Sequence, residues 1–400
     1  MKHVYDYAIV GGGLAGASAV QGIRELDAKG KILLIGEESY LPYDRPPLSK
    51  KLWFGKQQVA EIFLHDHAFY DQYAVTLALG AKAAQLDPDA KILFTSRGEA
   101  YGYGKLLLAT GCKPRKLAIP GGDLEGICYF RNLDDYQHAR DMAVAGKSAV
   151  VIGGGFIGSE LAAVLNINKL HVTMIFPAAL LCDRVFPDYL GQAVQQRFTE
   201  KGIRILASDQ PVSFSKNDGK FITHTIKGAQ IESDIVIVGV GVIPETELAV
   251  NGGLAVGNGI VVNEYLETSK RDIYAAGDNA FFPYQTLGQP MRIEHWDHAL
   301  NQGKWAGRNM AGAYEPFTYM PYFFSDLFEL GYEATGEVDS RLQTFADWQQ
   351  VNDTGVIYYL REDKVRGVMM CNVWDKVEVA RELIRKAERM PPEKLRGLIR

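Results

Sequence analysis

The chain carries one local pattern twice. A short apolar run at 7–10 ends in Gly11-Gly12-Gly13, followed by helical spacing over 14–26 and a second apolar run at 31–35. The same order returns 142 residues later: an apolar run at 148–152, Gly153-Gly154-Gly155, helical spacing over 156–166, and an apolar run at 171–175. Each copy predicts a β–α–β unit with its glycines between the first strand and the helix. A period this long excludes a solenoid and suits two related nucleotide-binding domains.

The glycine spacing carries the chemistry. In Gly11-x-Gly13-x-x-Gly16, the first glycine permits the tight turn. The second lets backbone approach a pyrophosphate, and the third lets helix and strand pack closely. The helix start offers free N–H groups and a positive dipole end for phosphates. Glu37 ends the second run, 21 residues after Gly16, where an acid accepts hydrogen bonds from ribose hydroxyls. Gly153-x-Gly155-x-x-Gly158 repeats the spacing, but Phe176-Pro-Ala-Ala179 stands where its acid is expected. Without that acid, nothing there repels a 2′-phosphate, so NADPH is tolerated. Arg184 is a candidate phosphate partner; the alternative is an ordinary solvated side chain. Two such folds in one chain suit a resident flavin in one and an exchanging nicotinamide in the other. Hydride passes between them, and the flavin converts two-electron to one-electron traffic.

Composition narrows the class. At 400 residues the chain is long enough for two to three domains. With 43 Lys+Arg against 48 Asp+Glu, the net charge of −5 lacks the bulk electrostatics of a nucleic-acid binder. No apolar run approaches the ~20 residues that span a bilayer; the strongest, at 235–243, has the length of a buried strand. The first strand starts almost at once, with no signal or transit segment before it, so a cytoplasmic location is expected. Cys112, Cys128, Cys182 and Cys371 form no C-x-x-C pair. They predict buried free thiols, neither a redox disulfide nor a metal site.

Two further strand–glycine stops occur, at 106–111 (with Thr110 and Gly111) and at 272–278 (with Gly277 and Asp278). From about residue 319 aromatics become dense. Strands at 355–360 and 365–370 follow, then a helix at 377–388 with Val379, Leu383, Ile384 and Ala387 on one face. The last dozen residues read as a frayed basic tail. The expected architecture is α/β: two Rossmann-like dinucleotide-binding domains plus a C-terminal α+β interface domain. The expected boundaries are 1–118 with 243–318 for FAD, 119–242 for NAD(P)H, and 319–400 for the C-terminal domain.

Several motifs resemble the FAD-dependent ferredoxin/rubredoxin reductases. They are Leu41-Pro-Tyr-Asp-Arg-Pro-Pro-Leu-Ser-Lys50, Gly153-Gly-Gly-Phe-Ile-Gly-Ser-Glu160 and Glu294-His-Trp-Asp-His-Ala299. The stretch from Arg45 through Trp53-Phe54, together with Phe324-Ser-Asp-Leu327, Gly331-Tyr-Glu-Ala-Thr-Gly336 and Gly355-Val-Ile-Tyr-Tyr359, is most similar to the apoptosis-inducing-factor branch. The resemblance covers nearly the whole chain. It implies that Glu37 and Glu38 hold the adenosine ribose of FAD, that Arg45 and Arg131 contact FAD, and that Asp278 binds the ribitol chain. It places His295 and Trp296 near the flavin ring. Leu14, Ala15, Ala83, Thr110, Gly111 and Gly277 are further implied cofactor contacts. For the nicotinamide side it implies Gly153, Gly154, Gly155, Phe156, Ile157, Gly158, Glu160, Gly241, Glu294 and Glu333. It brings Lys50 to the isoalloxazine, where a positive charge suits developing electron density. Glu160, one turn into the second helix, could pair with Lys50, since a lone buried charge of either sign is costly.

Plainer readings stand beside these. One of Lys50 and Lys51 is simply solvated; Glu160 could serve the helix dipole, Arg45 brace its loop, and Asp278 cap a helix. His295 and His298 could be structural, and Trp296 and Phe156 ordinary packing. The chain also departs from the apoptosis-factor branch. Phe324 stands for Trp, which weakens a stacking contact with cofactor, and Ala178 stands for an acid. The presequence is absent and the 339–355 loop is short, so import and insertion-linked regulation are not carried over.

The leading expectation is an enzyme that takes hydride from NADH or NADPH onto FAD and passes electrons to a small iron–sulfur or rubredoxin-type protein, as a monomer or homodimer. The alternative is a redox-responsive binding protein with slow NAD(P)H oxidation and a long-lived charge-transfer complex. A thiol reductase would need a cysteine near the first-domain loop, and none precedes Cys112. Arg381, Arg385, Lys386 and Arg389 form a candidate basic patch for an acidic partner; the alternative is a solvated helix face.

Overall fold

The structure, a computed structural model, describes residues 3–400. These separate into two compact units. Unit 1 comprises 1–44, 59–113 and 243–321. Unit 2 comprises 45–58, 114–242 and 322–400. The loop at 45–58 thus clusters with the second glycine turn, whereas its sequence neighbours belong to unit 1. The region from residue 322 joins unit 2 as well.

In unit 1 the parallel strands Val75–Leu79, Ile32–Gly36, His3–Val10 and Ala100–Leu108 lie side by side. Ile273–Ala275 adds in parallel to Ala100–Leu108, and two antiparallel strands, Ile92–Thr95 and Ala83–Asp87, extend the sheet. The strand Ile32–Gly36 is buried at every position. That burial explains its continuous apolar run in place of an alternation. The helix Leu14–Arg24 follows the first glycine turn and packs against the helix Trp296–Met310. Small residues allow that approach: a Cβ on Gly303 would lie 2.2 Å from the Ala15 carbonyl oxygen, and one on Gly307 2.2 Å from that of Ala19.

Unit 2 contains a five-stranded parallel sheet in the order Arg204–Ala207, His171–Phe176, Ser148–Ile152, Ile235–Val238 and Ile127–Tyr129. Val150, Ile152, Ile175, Val236 and Val238 share a core with Phe214, Phe221 and Ile231 of a three-stranded antiparallel sheet. The C-terminal sheet is antiparallel throughout, in the order Tyr322–Leu327, Leu330–Gly336, Lys364–Cys371, Thr354–Arg361 and Gln343–Gln350. The expected α/β architecture, with two parallel nucleotide-binding sheets and a C-terminal sheet, is what the chain adopts.

Three local expectations change. The last helix runs Val377–Lys386 and ends at Ala387 in a left-handed conformation. Its buried side chains are Ala380, Arg381 and Ile384, while Val379 is 44% exposed. The basic patch is consequently broken up. Arg381 is buried and pairs with Glu378 at 3.3 Å, Arg385 pairs with the same carboxylate at 2.9 Å, and Arg389 lies 3.8 Å from Glu362. The last dozen residues do not fray. Leu395 and Ile399 are buried, and the Gly397 N–H donates to Asp347 at 2.6 Å. Two apolar anchors hold a segment whose charge alone suggested solvent. No helix among the described residues is long and apolar enough to cross a membrane.

Candidate functional site: two glycine cradles and a buried ion pair

In unit 1, Gly11 has φ +127°. A Cβ there would lie 2.0 Å from the Ala109 carbonyl oxygen, and one on Gly16 2.1 Å from that of Gly11. Strand, turn and helix thus touch through backbone alone. At Gly13 the situation is opposite, since no atom lies within 4 Å of an added Cβ. Gly13 caps the helix with no side-chain hydrogen bond, and the first turn, with Leu14 and Ala15, carries no acid. The helix start thus has open space beside Gly13 and no side-chain cap, which is what a phosphate needs. Glu37 at the second strand's end is exposed and pairs with Lys82 at 3.5 Å. Glu38 accepts from the Tyr43 hydroxyl at 2.5 Å. Ala83, on an antiparallel strand, is half-buried.

The other predicted residues of unit 1 converge on the two strand–glycine stops. The Thr110 hydroxyl donates to the Glu245 carbonyl at 2.6 Å and accepts from the Asn279 amide at 2.8 Å. Gly111 and Gly277 both have positive φ. Asp278 presents its carbonyl to Arg292 at 3.0 Å, and Arg292 pairs with Glu294 at 2.6 Å. Glu294, expected on the nicotinamide side, therefore lies in unit 1. Trp296 donates its indole N–H to Asp44 at 2.6 Å. Burial pushes the Asp44 carboxyl up, against that hydrogen bond.

Burial pushes the His295 imidazole down to about 4, against the pull of Asp278. His298 goes down to about 3 through burial, with His295 adding. Its ring stacks on Phe282 at 5.0 Å and meets Phe317 edge-on at 5.7 Å. Both histidines are neutral at pH 7, while the unfolded chain takes a proton near 6.5. As pH falls from 6.5 the unfolded state binds more protons than the folded one, so stability falls. Melting temperature is expected to drop between about pH 7 and pH 5, and His298→Gln to flatten that drop. An unchanged slope in the variant would remove His298 as its source.

In unit 2 the second cradle repeats the first. Gly153 has φ +120°, and its Cβ would lie 2.3 Å from the Gly239 carbonyl oxygen. One on Gly154 would strike the Phe176 ring at 2.6 Å, and one on Gly158 would lie 2.2 Å from the Gly153 oxygen. Gly155 is open, with no atom within 4 Å, and caps the helix Phe156–Ile167 without side-chain help. Gly241, with φ +94°, is open as well. Ile157 is 42% exposed, and the Phe156 ring meets Phe323 at 5.5 Å. Arg184 is exposed. Both cradles fit a dinucleotide: a backbone-lined turn, an uncapped helix start and no first-turn acid.

The same unit gathers the charged pair. The Lys50 ammonium lies 3.2 Å from Glu160, with side-chain exposures of 11% and 6%. It also sits 4.5 Å over the Phe324 ring. Two hydroxyls complete the carboxylate: Ser49 donates to Oε2 at 2.6 Å and Ser325 to Oε1 at 2.5 Å. Sequence reasoning missed both serines, although each adjoins a residue it named. Arg45 donates to the Arg131 carbonyl at 2.9 Å and braces this loop. Glu333 faces Phe324 across the strand pair. Burial pushes its carboxyl up, with Asp375 adding. All four cysteines are buried and none is in a disulfide.

Comparison with known proteins agrees with this geometry. Residues 5–303 match the family described as pyridine nucleotide-disulphide oxidoreductase. Residues 306–354 and 348–386 match the C-terminal segment of apoptosis-inducing factor, mitochondrion-associated. The chain is 32% identical to the mitochondrial apoptosis-inducing factor 1 of Dictyostelium discoideum, over 96% of this chain and 78% of that protein. It is also 32% identical to the putidaredoxin reductase of Pseudomonas putida, over 97% and 93% respectively. Among solved structures, the covalent putidaredoxin reductase–putidaredoxin complex superposes with a TM-score of 0.93 at 30% identity, covering 98% of this chain and 95% of that one. Two open glycine cradles, a buried Lys–Glu pair and end-to-end similarity converge: the chain belongs to the pyridine nucleotide-disulphide oxidoreductase family, as an FAD- and NAD(P)H-dependent oxidoreductase without a redox disulfide.

Proposed function

We propose that the protein takes hydride from NAD(P)H onto FAD and passes the electrons to a small iron–sulfur or rubredoxin-type protein, acting in the cytoplasm as a monomer or homodimer. The observation that carries this reading is two open nucleotide cradles in a chain whose four cysteines are buried and form no disulfide with one another. Burial pushes Cys128, Cys182 and Cys371 up to about 12, so these three stay protonated and poorly nucleophilic. A separate molecule as acceptor suits that chemistry. The named activities of the putidaredoxin and rubredoxin reductases among the relatives support its class.

In this reading the boundaries 1–118 with 243–318, 119–242 and 319–400 mark the FAD, nicotinamide and C-terminal domains. Gly11, Gly13, Gly16, Glu37, Glu38, Arg45, Arg131, Thr110, Gly277, Asp278, His295 and Trp296 hold FAD. Gly153, Gly154, Gly155, Phe156, Gly158, Gly241 and Glu333 serve the nicotinamide. Bound flavin supplies the exchange between two-electron and one-electron chemistry. Lys50 supplies positive charge and N–H donors to the redox centre, and Glu160 fixes its position. No side-chain base is required for hydride transfer.

The test is an anaerobic titration of the yellow protein with NADH and NADPH, followed by addition of a ferredoxin or a rubredoxin. Rapid bleaching, then reoxidation by the added protein, is expected. Slow bleaching with a persistent long-wavelength band and a change in size would overturn this reading in favour of a redox-responsive binding protein.

A further inference from the structure

Resting on the reading of unit 2 as the nicotinamide domain, we propose that this site selects NADPH, and that Lys227 and Ser208 receive its 2′-phosphate. In a doubly wound sheet, nucleotide binds outside the carboxyl ends of the strands, and the residue ending the second strand meets the adenosine ribose. Here that strand is His171–Phe176, and Pro177, Ala178 and Ala179 follow it. Its parallel neighbour Arg204–Ala207 ends level with it, with Phe176 opposite Ala207.

Three observations define the place between these strand ends. No acid stands at or just past the strand's end, where Phe176, Pro177, Ala178 and Ala179 follow one another. Asp209, the carboxylate after the neighbouring strand, is buried; against that burial, hydrogen bonds and the Lys227 charge hold its carboxyl below the usual range. Its Oδ1 accepts the backbone N–H of Gln210 at 2.8 Å and that of Lys227 at 3.3 Å. The cation comes from elsewhere in the fold. The Lys227 ammonium lies 3.3 Å from the Ala207 carbonyl oxygen, at the carboxyl end of the neighbouring strand, and the residue is exposed. Ser208 is exposed beside it, and its N–H donates to the Ala178 carbonyl at 2.8 Å. A positive charge and a hydroxyl therefore flank the position where an acid would exclude a phosphate.

Arg184 is the partner expected from sequence. The chain folds back at Cys182, whose N–H donates to the Gly154 carbonyl at 2.8 Å. The carbonyls of Asp183 and Arg184 then accept from the Ser340 hydroxyl and N–H, at 2.6 and 3.0 Å. Those bonds fix the backbone of Arg184 beside Ser340 and leave its side chain exposed.

The test measures binding of NADP⁺, NAD⁺ and the fragment 2′,5′-ADP by calorimetry, beside flavin bleaching by each reduced nucleotide. NADP⁺ is expected to bind about tenfold more tightly than NAD⁺, the scale of one charge-assisted hydrogen bond. Lys227→Met should abolish that advantage and weaken 2′,5′-ADP while leaving NAD⁺ unchanged. The fold should survive, because the contact to Asp209 uses backbone N–H. Ala178→Glu should reverse the preference. Equal affinities in the native protein, binding of NAD⁺ alone, or equal weakening of both nucleotides by Lys227→Met would overturn the inference while leaving the oxidoreductase reading in place. Failure of every nucleotide to bind would overturn both.

Discussion

Glu160→Ala is expected to destabilise unit 2 by about 3–5 kcal/mol and to slow flavin reduction by NAD(P)H. The size follows from what the carboxylate holds. Lys50 keeps only 11% of its side chain in contact with water, and Glu160 lies 3.2 Å away. Removing one member of a buried pair leaves the other charge uncompensated, which costs far more than the intact pair contributes. Ser49 and Ser325 lose their acceptor at the same time. A second variant separates stability from chemistry. Lys50→Met combined with Glu160→Leu removes both charges and should recover most of the melting temperature, since apolar replacements of a buried pair are often neutral. It should not recover the reduction rate, because the positive charge assigned to the redox centre is gone. Stopped-flow bleaching beside thermal unfolding reads the two effects apart. Full recovery of rate in the double variant would strip Lys50 of its assigned role.

Gly11→Ala is expected to yield protein without bound FAD. The added Cβ would lie 2.0 Å from the Ala109 carbonyl oxygen and 2.5 Å from its carbon, both backbone atoms just past the end of the adjoining strand. At φ +127° an L-residue is strained in any case. Relief requires the turn to move, and the turn sets where the helix Leu14–Arg24 presents its first N–H groups. The absorbance ratio at the flavin and protein bands measures occupancy directly. Gly13→Ala is the control. Its Cβ meets no protein atom within 4 Å, so the fold should hold while phosphate approach suffers. Normal flavin content in Gly11→Ala would show that the turn relaxes without moving the helix.

Much of the molecule was legible in sequence because its signals are local. A glycine turn between an apolar run and helical spacing is a constraint within about ten residues, and both cradles form where the spacing put them. The buried strand Ile235–Val238 likewise declares itself by composition. The tail was misread for the converse reason. Its charge is local, whereas the burial of Leu395 and Ile399 depends on the sheet strand carrying Asp347. The last helix shows the same limit: its apolar spacing was visible, but Val379 points outward and Arg381 inward.

The sequence by itself determined the two nucleotide cradles, the absence of a C-x-x-C pair and the α/β class, because each depends on neighbours along the chain. Only the tertiary structure decided what joins Lys50, the partner already expected, around Glu160. Ser49, Phe324 and Ser325 come from two segments more than 100 residues away from it on either side, and no spacing rule links them. It also decided where the Lys227 ammonium stands, 3.3 Å from the Ala207 carbonyl at a strand end, a placement that no local pattern announces. Long-range packing chooses the partners of a buried charge, because a charge leaving water takes whatever donors the fold delivers to it.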